Sequence, residues 1–355
     1  MKLKKRILIA PLNWGIGHAT RCIPLINALI SHNYEVVIAA DERPLHLLIT
    51  EFPDLEIVRF PGYNIKYSKY FPMSISMLLQ LPKLLWNIKK EHETLNQIID
   101  DYKIDGVISD NRFGLFTSKA PSVFITHQLQ IQSPYFTSTI RDFNYKHINK
   151  FDVCWIMDDK NINLAGNLSK PKILPNNTIY IGTQSRFEKR EEEKKYDFLA
   201  IVSGPEPQRT ILEKGLIKAL KDREEKSLIV LGKPELNTGE QLGNLTIKSH
   251  LSAKDLNTAI LQSELIICRS GYSTIMDLAK LEKKAFFIPT PGQTEQEYLA
   301  KNFKQNNICY SQEQSKFDFE EAINKSKNYS GFPKIADTLP DWEELFSLFK
   351  NKRES

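Results

Sequence analysis

Two groups of side chains in this sequence have the types and spacing to do chemistry. The first is His18, at the end of a turn that carries Gly15 and Gly17, together with Asp110 and His127, each of which ends an apolar run. A carboxylate that orients an imidazole and raises its basicity makes a general base for a hydroxyl proton. Asn111, Arg112 and Gln128 stand beside these residues and are candidates for holding the molecule that carries the hydroxyl. The second group is Arg269-Ser270-Gly271, where an apolar run enters a glycine turn and then a helix opening near Ser273 and Thr274. Unpaired amides at a helix start and the positive end of its dipole suit a phosphate. Asp277, six residues past Gly271, can accept from sugar hydroxyls, and Gln293, Glu295 and Gln296 in the loop 291–297 add further hydroxyl-reading groups. Plainer roles exist for each: a lone histidine near a helix start also caps or packs, an aspartate after a strand also caps the next helix, and a Gly-x-Gly pair falls short of the full dinucleotide fingerprint.

Positioning these groups requires a particular order of elements. Residues 6–10 read as a buried strand, 11–18 as a turn, 19–31 as a helix with apolar residues at helical spacing, and 35–40 as a second strand. Further strands are expected at 55–60, 105–109, 122–126 and 153–157. The same plan restarts after the charge run 188–195. A strand at 197–202 delivers the turn Ser203-Gly204, Arg209 precedes a helix, and strands at 227–231, 245–248, 265–268 and 285–288 follow, with a helix over 250–261. The pattern predicts two doubly wound α/β domains, whose ligands lie beyond the carboxyl ends of the strands. Boundaries are placed at 1–185 and 186–340, with a terminal helix over 341–355 available to pack back on the first domain.

Composition narrows the class. A chain of 355 residues with 41% hydrophobic content can bury two cores. Cys22, Cys154, Cys268 and Cys309 lack metal-ligand spacing and read as reduced thiols of a reducing compartment, so no metal site is signalled. No apolar run is long enough to span a bilayer or to act as a signal, which predicts a cytoplasmic protein. The net charge is +5, and the first 185 residues carry all of the excess, with 21 Lys plus Arg against 16 Asp plus Glu. Within them, Tyr63, Tyr67, Tyr70 and Phe71 alternate with Lys66 and Lys69, and the apolar, basic stretch 74–90 follows. That stretch reads either as an ordinary helix pair or as a surface that meets anionic lipid headgroups on the cytoplasmic face of a membrane.

The runs ELIICRSGYSTIMDLA (residues 264–279) and IPTPGQTEQEYLA (288–300), supported by GIGHATR (15–21), resemble the GT-B glycosyltransferases and, more narrowly, glycosyltransferase family 28. The specific part of the resemblance spans roughly residues 197–305. It implies two Rossmann-like domains facing across a cleft, the second holding a nucleotide sugar, usually a UDP-sugar, and the first an acceptor. Carried over by position, Ser270, Gly271, Ser273 and Thr274 would receive the diphosphate, with Ser203 and Gly204 facing it. Asp277 would take the ribose, Glu295 and Gln296 the donor sugar, and His250 and Leu251 the base. His18 matches the family's N-terminal histidine, and Asp110 resembles the aspartate that partners it in the small-molecule glucosyltransferase branch. Two departures bear on substrates. Asn13-Trp14 replace the glycine-rich run of the family member that acts on lipid I, and the turn SGPEPQR differs from that enzyme's glycine-serine loop.

These features lead to an inverting, metal-independent glycosyltransferase that needs no cofactor beyond its nucleotide-sugar co-substrate. His18 and Asp110 would deprotonate an acceptor hydroxyl, lipid- or polyprenyl-linked in one version, while first-turn amides and Arg209 stabilise the leaving diphosphate. Neither nucleic acid nor a metal ion is expected as a partner. A nucleotide-sugar 2-epimerase and a non-catalytic nucleotide-sugar or glycan-binding protein are the alternatives.

Overall fold

A computed structural model of the chain describes residues 4–13, 15–62, 81–131, 137–233, 236, 238–334 and 340–350. The chain divides into two compact units, one of residues 1–184 with 337–355 and one of residues 185–336.

The first unit is built on a parallel seven-stranded sheet: β1 (Arg6–Pro11), β2 (Glu35–Ala40), β3 (Glu56–Arg59), β4 (Gly106–Asp110), β5 (Ser122–Thr126), β6 (Val153–Ile156) and β7 (Thr178–Tyr180). Their order in the sheet is β3-β2-β1-β4-β5-β6-β7. The strand sequences are almost unbroken apolar runs because helices cover both faces. Alternate residues feed two cores: Ile7, Ile9, Val36, Ile38, Ile108, Val123 and Ile125 on one face, and Leu8, Val37, Val107, Phe124 and Cys154 on the other. The covering helices are α1 (Ile16–Ser31), α2 (Glu42–Glu51), α3 (Leu81–Tyr102) and α4 (Thr137–Ile148). The tail returns here, where Phe346 and Phe349 are fully buried beside Trp155, and the Tyr34 hydroxyl donates to the Phe346 carbonyl at 3.1 Å.

The second unit repeats the plan with β8 (Tyr196–Ile201), α5 (Gln208–Leu220), β9 (Ser227–Val230), β10 (Gly239–Leu242), β11 (Leu245–Lys248), α6 (Ala253–Leu261), β12 (Ser263–Cys268), α7 (Tyr272–Lys280), β13 (Lys284–Phe287), α8 (Thr294–Gln305), β14 (Tyr310–Ser311) and α9 (Phe319–Ser326). The order is β10-β11-β9-β8-β12-β13-β14, parallel except for the β10–β11 pair. Sequence periodicity does not announce β7, β10 or β14, which have two to four residues each, too few to establish a pattern. The tail expected to be one helix is α10 (Trp342–Phe346) followed by a single 3₁₀ turn (Ser347–Phe349).

Chain order reverses between β1 and β4 in the first sheet and between β8 and β12 in the second. Such switch points open a crevice beyond the carboxyl ends of the strands, where ligands of doubly wound sheets bind. His18 and Asp110 follow or end β1 and β4, while Ser203-Gly204 and Arg269-Ser270-Gly271 follow β8 and β12. Both candidate groups therefore stand at a switch point.

Of the stretch expected to meet a membrane, residues 63–80 lie outside the described residues, as does Trp14 in the first turn. Residues 81–90 open α3, where Leu85 and Trp86 are exposed and the Lys90 Nζ lies 5.2 Å from the Trp86 ring centroid. No helix among the described residues is long and apolar enough to cross a membrane.

Candidate active site

In the first unit, Gly15 takes φ +91°, a conformation that favours glycine, and ends the turn one residue before α1 begins. The helix thus starts at Ile16 rather than at residue 19, and Gly17 and His18 belong to its first turn. Gly17 contributes a carbonyl to the Thr20 hydroxyl at 2.9 Å. Three residues beyond His18 on the same helical face stands Arg21, only 3% exposed.

At the end of β4, Asp110 is completely buried and collects donors. His18 Nδ1 lies 3.0 Å from its Oδ2, Arg21 Nε donates to Oδ2 at 2.8 Å, and Arg21 Nη2 donates to Oδ1. The Cys22 thiol approaches the same Oδ2 at 3.9 Å. Another arm of Arg21, Nη1, reaches Nδ1 of His127 at 2.8 Å, and Nη2 lies 2.8 Å from Nδ1 of His18. No helix directly follows Asp110, so its side chain belongs to this cluster instead of capping one. Burial works against its charge, but the Arg21 guanidinium and His18 overcome it and hold the carboxyl well below the usual carboxylate range. For His18, burial is the largest influence and Arg21 the next. Together they outweigh Asp110 and bring the imidazole below 6.5, so the ring is neutral at pH 7.

The neighbouring candidates divide. Asn111 holds a left-handed backbone (φ 56°) and its amide donates to the Ile125 carbonyl at 3.2 Å, while the Gln128 amide donates to the Thr126 hydroxyl at 3.0 Å. Arg112 is a structural clamp and not an acceptor-facing group. It is fully buried, donating to Glu91 at 2.7 Å and to the carbonyls of Phe60 and Pro61 at 3.2 and 2.6 Å, with its guanidinium 4.1 Å from the Phe60 ring centroid.

The second unit gathers its candidates around α7. Gly271 caps the helix with extended backbone and no side-chain cap bond, so the first turn of α7 begins directly beyond the strand end. Two neighbours expected to touch an anion are engaged elsewhere. Arg269, 1% exposed, donates to the carbonyls of Ile288, Pro289 and Gln208 at 2.9, 3.1 and 3.0 Å, and to the side chain of Gln314 at 2.5 Å. Ser270 is fully buried and its hydroxyl donates to the Gln296 carbonyl at 2.7 Å, which ties the turn to α8. Arg209 is likewise occupied, since its guanidinium pairs with Glu206 and donates to the Leu231 carbonyl at 3.3 Å. A phosphate there would meet a neutralised pair rather than a free cation.

What remains around the turn is small and rich in donors. Gly204 has φ +110°, and a Cβ at that position would stand 3.3 Å from the Thr290 hydroxyl and 3.7 Å from Arg269 Nε. The Thr290 hydroxyl is buried and has no partner among the described residues. The Thr290 amide donates to Gln296 Oε1 at 2.8 Å, and the Gln296 amide nitrogen lies 4.0 Å from where a Cβ of Gly271 would stand. Ser273 and Thr274 occupy the first turn of α7, and Gln293 and Glu295 the start of α8, all four half-buried. His250 and Leu251 lie just past the end of β11, before Ser252, which caps α6 by accepting the Asp255 amide at 3.1 Å. Asp277 accepts from the Ser185 hydroxyl at 2.6 Å, and burial pushes its carboxyl up to about 6 despite the nearby Arg186.

Sequence reading passed over Arg21 as a member of the cluster and overlooked Thr290. The i,i+3 spacing from His18 was the available signal for the arginine. For Thr290 it was a lone polar residue two positions after the strand 285–288.

Two seven-stranded doubly wound sheets are the architecture of the GT-B glycosyltransferases, and here an imidazole–carboxylate cluster stands at one switch point and a glycine turn at the other. Residues 208–332 match the glycosyltransferase family 28 C-terminal domain. Solved structures share its fold at low identity. MurG of Acinetobacter baumannii aligns at 14% identity with a TM-score of 0.57, covering 98% of this chain and 99% of that one. The glycosyltransferase SnogD from Streptomyces nogalater aligns at 14% and 0.62, covering 98% and 100%. The spinosyn rhamnosyltransferase SpnG, in a complex with thymidine diphosphate, aligns at 13% and 0.60, covering 97% and 95%. A comparison with curated protein sequences gave no match.

Proposed function

We propose that this glycosyltransferase inverts the anomeric centre, works without a metal ion, and moves a sugar from a UDP-sugar to a hydroxyl. The observation that carries the reading is the 3.0 Å contact between the neutral His18 and the buried, ionised Asp110. With Nδ1–H donated to Asp110, the lone pair of Nε2 accepts the acceptor's hydroxyl proton as its oxygen bonds to the anomeric carbon. The bond from that carbon to the diphosphate oxygen breaks on the opposite face, and the electron pair leaves with the diphosphate. Asp110 stabilises the imidazolium formed.

For the leaving group, the reading draws on the first-turn amides of α7, the unpartnered Thr290 hydroxyl and the glycine backbone at Gly204. Preorganised donors of this kind stabilise developing negative charge without a divalent cation. Asp277 accepts from the ribose. A lipid-linked acceptor, met at the cytoplasmic face of a membrane, is supported by the exposed Leu85 and Trp86 with Lys90 beside them at the start of α3.

A donor panel tests the proposal. UDP-, dTDP- and GDP-sugars are incubated with the protein and either a lipid extract or water-soluble alcohols, and products are followed by mass spectrometry and anomeric NMR. The expected result is an inverted glycoside from a UDP-sugar, insensitive to EDTA, with turnover lowered roughly 10²- to 10⁴-fold in His18→Ala. Retention at the anomeric carbon, or full turnover in His18→Ala, would remove the base from its role. Isomerisation of the donor without transfer would point to the epimerase.

A further inference from the structure

We infer that Thr290 is a specificity residue that tells a nucleoside diphosphate from a nucleoside monophosphate, its hydroxyl donating to an oxygen of the second phosphate. The inference deepens the reading of the second unit as a nucleotide-sugar site and rests on it.

Thr290 follows β13 and is 1% exposed. Its backbone is fully engaged, the amide donating to Gln296 Oε1 at 2.8 Å and the carbonyl accepting the Gln293 amide at 3.1 Å. The hydroxyl alone has no partner among the described residues. A buried O–H without an acceptor costs stability, and a valine of the same shape would not carry that cost. The group calls for an acceptor from outside the chain, either a ligand oxygen or a water.

The surroundings favour an anionic oxygen. Arg269 only donates, and its five N–H groups are committed to the carbonyls of Ser203, Gln208, Ile288 and Pro289 and to the side chain of Gln314. Ile288 and Pro289 come directly before Thr290, and Ser203 directly before Gly204. Arg269 thereby holds the threonine against the glycine turn and brings a positive charge to both. A Cβ on Gly204 would lie 3.3 Å from Thr290 Oγ1 and 3.7 Å from Arg269 Nε, and no other described heavy atom beyond the adjoining residues comes within 4 Å of that point. The missing side chain leaves room beside an unbonded O–H and a guanidinium, a setting that suits a phosphate oxygen better than a neutral one.

A second place for a phosphate lies alongside, because α7 begins directly beyond β12 and a helix start suits one phosphate group. Gln296 joins the two places. Its carbonyl accepts the Ser270 hydroxyl at 2.7 Å, its Oε1 accepts the Thr290 amide, and its Nε2 lies 4.0 Å from where a Gly271 Cβ would stand. Two adjoining places match two linked phosphates. A monophosphate takes the helix start alone, whereas a diphosphate also reaches the Thr290 hydroxyl.

The test uses the full chain, with calorimetric titration by UDP, dTDP and GDP beside their monophosphates, and thermal melting without ligand. Thr290→Val should weaken the preferred diphosphate roughly 10- to 100-fold, as loss of a hydrogen bond to a charged group does, and leave the matching monophosphate within about twofold. Thr290→Ser, which keeps an O–H, should bind the diphosphate much as wild type does. Without ligand, Thr290→Val should melt no lower than wild type. A clearly lower melting temperature would mean that the hydroxyl bonds within the protein, an unchanged diphosphate affinity that a water takes it, and an equal loss for both nucleotides that it does not read the second phosphate. Each of these overturns the inference, as does a wild type that binds no nucleotide. Sugar transfer with diphosphate affinity unchanged in Thr290→Val would sink this inference alone, and the expected affinities in a chain that transfers no sugar would sink only the transfer reading.

Discussion

Arg21 and Arg269 are both buried at the carboxyl end of a parallel sheet, each beside a switch point, and they are used in opposite ways. Arg21 meets side chains that titrate: one carboxylate and two imidazoles. Its charge is cancelled by Asp110. Arg269 meets backbone carbonyls and an amide, and no carboxylate among the described residues pairs with it. Burial brings its guanidinium down only to about 10, so a full positive charge sits under the Ser203-Gly204 turn at pH 7. One arginine ties together an imidazole–carboxylate cluster, and the other is a strut that keeps its positive charge beneath the Ser203-Gly204 turn.

The sharpest way to break this contrast is Arg269→Met. The change leaves several buried carbonyls without a donor, each costing ~1–3 kcal/mol, so the loss of stability should be on the order of 3 kcal/mol or more. Urea unfolding measures it. A variant that unfolds at the wild-type urea concentration yet binds UDP weakly would make Arg269 a ligand and not a strut.

Asp277 gives a smaller effect of mixed sign. Its folded value of about 6 lies above the unfolded carboxyl value of 3.8, so the native state binds more protons between those limits. Its burial therefore costs stability increasingly as pH rises from about 4 to 6, and fully above that. Asp277→Asn, neutral throughout and still able to accept from Ser185, should melt higher than wild type at pH 7 and lose that advantage near pH 4. The same change should weaken UDP binding by ~1.5–3 kcal/mol, since a charged acceptor is lost. Calorimetry with unchanged UDP affinity would take Asp277 off the ribose.

Much of this was legible in the chain itself. Strand-length apolar runs separated by helical spacing exposed both doubly wound sheets, and polar residues ending those runs pointed to His18, Asp110 and the 269–271 turn. Several expected ligand contacts meet the same physical fact. Arg112, Arg209, Arg269 and Ser270 stand at the right edge with the right chemistry, but each already has a partner within the protein. Spacing along a strand gives the edge a residue occupies, whereas the direction of its side chain depends on neighbours distant in sequence, such as Glu91 for Arg112 or Gln314 for Arg269. Thr290 was missed for the converse reason: a lone threonine after a strand is a faint signal until the absent side chain of Gly204 is seen beside it.

The weakest expected effect lies at the opposite end of the second sheet and asks whether buried charge there is tolerated or used. Lys283 precedes β13, and its ammonium donates to the carbonyls of Leu261 and Ser263 at 3.1 and 2.6 Å. Lys194 donates to the same two carbonyls at 3.1 and 3.0 Å. Burial, then the neighbouring Lys194, push the Lys283 amine from 10.5 down to about 7. Between those values the unfolded chain binds the extra proton, so this group's contribution to stability rises with pH from about 7 and its penalty is complete below. Lys283→Met removes the second charge while Lys194 still serves both carbonyls. Its melting temperature at pH 7 should equal or exceed that of wild type, and the wild-type gain between pH 7 and 9 should shrink. A clear drop in melting temperature with the pH dependence intact would mean that the hydrogen bonds of Lys283 matter and its charge does not, placing it with Arg269 as a strut.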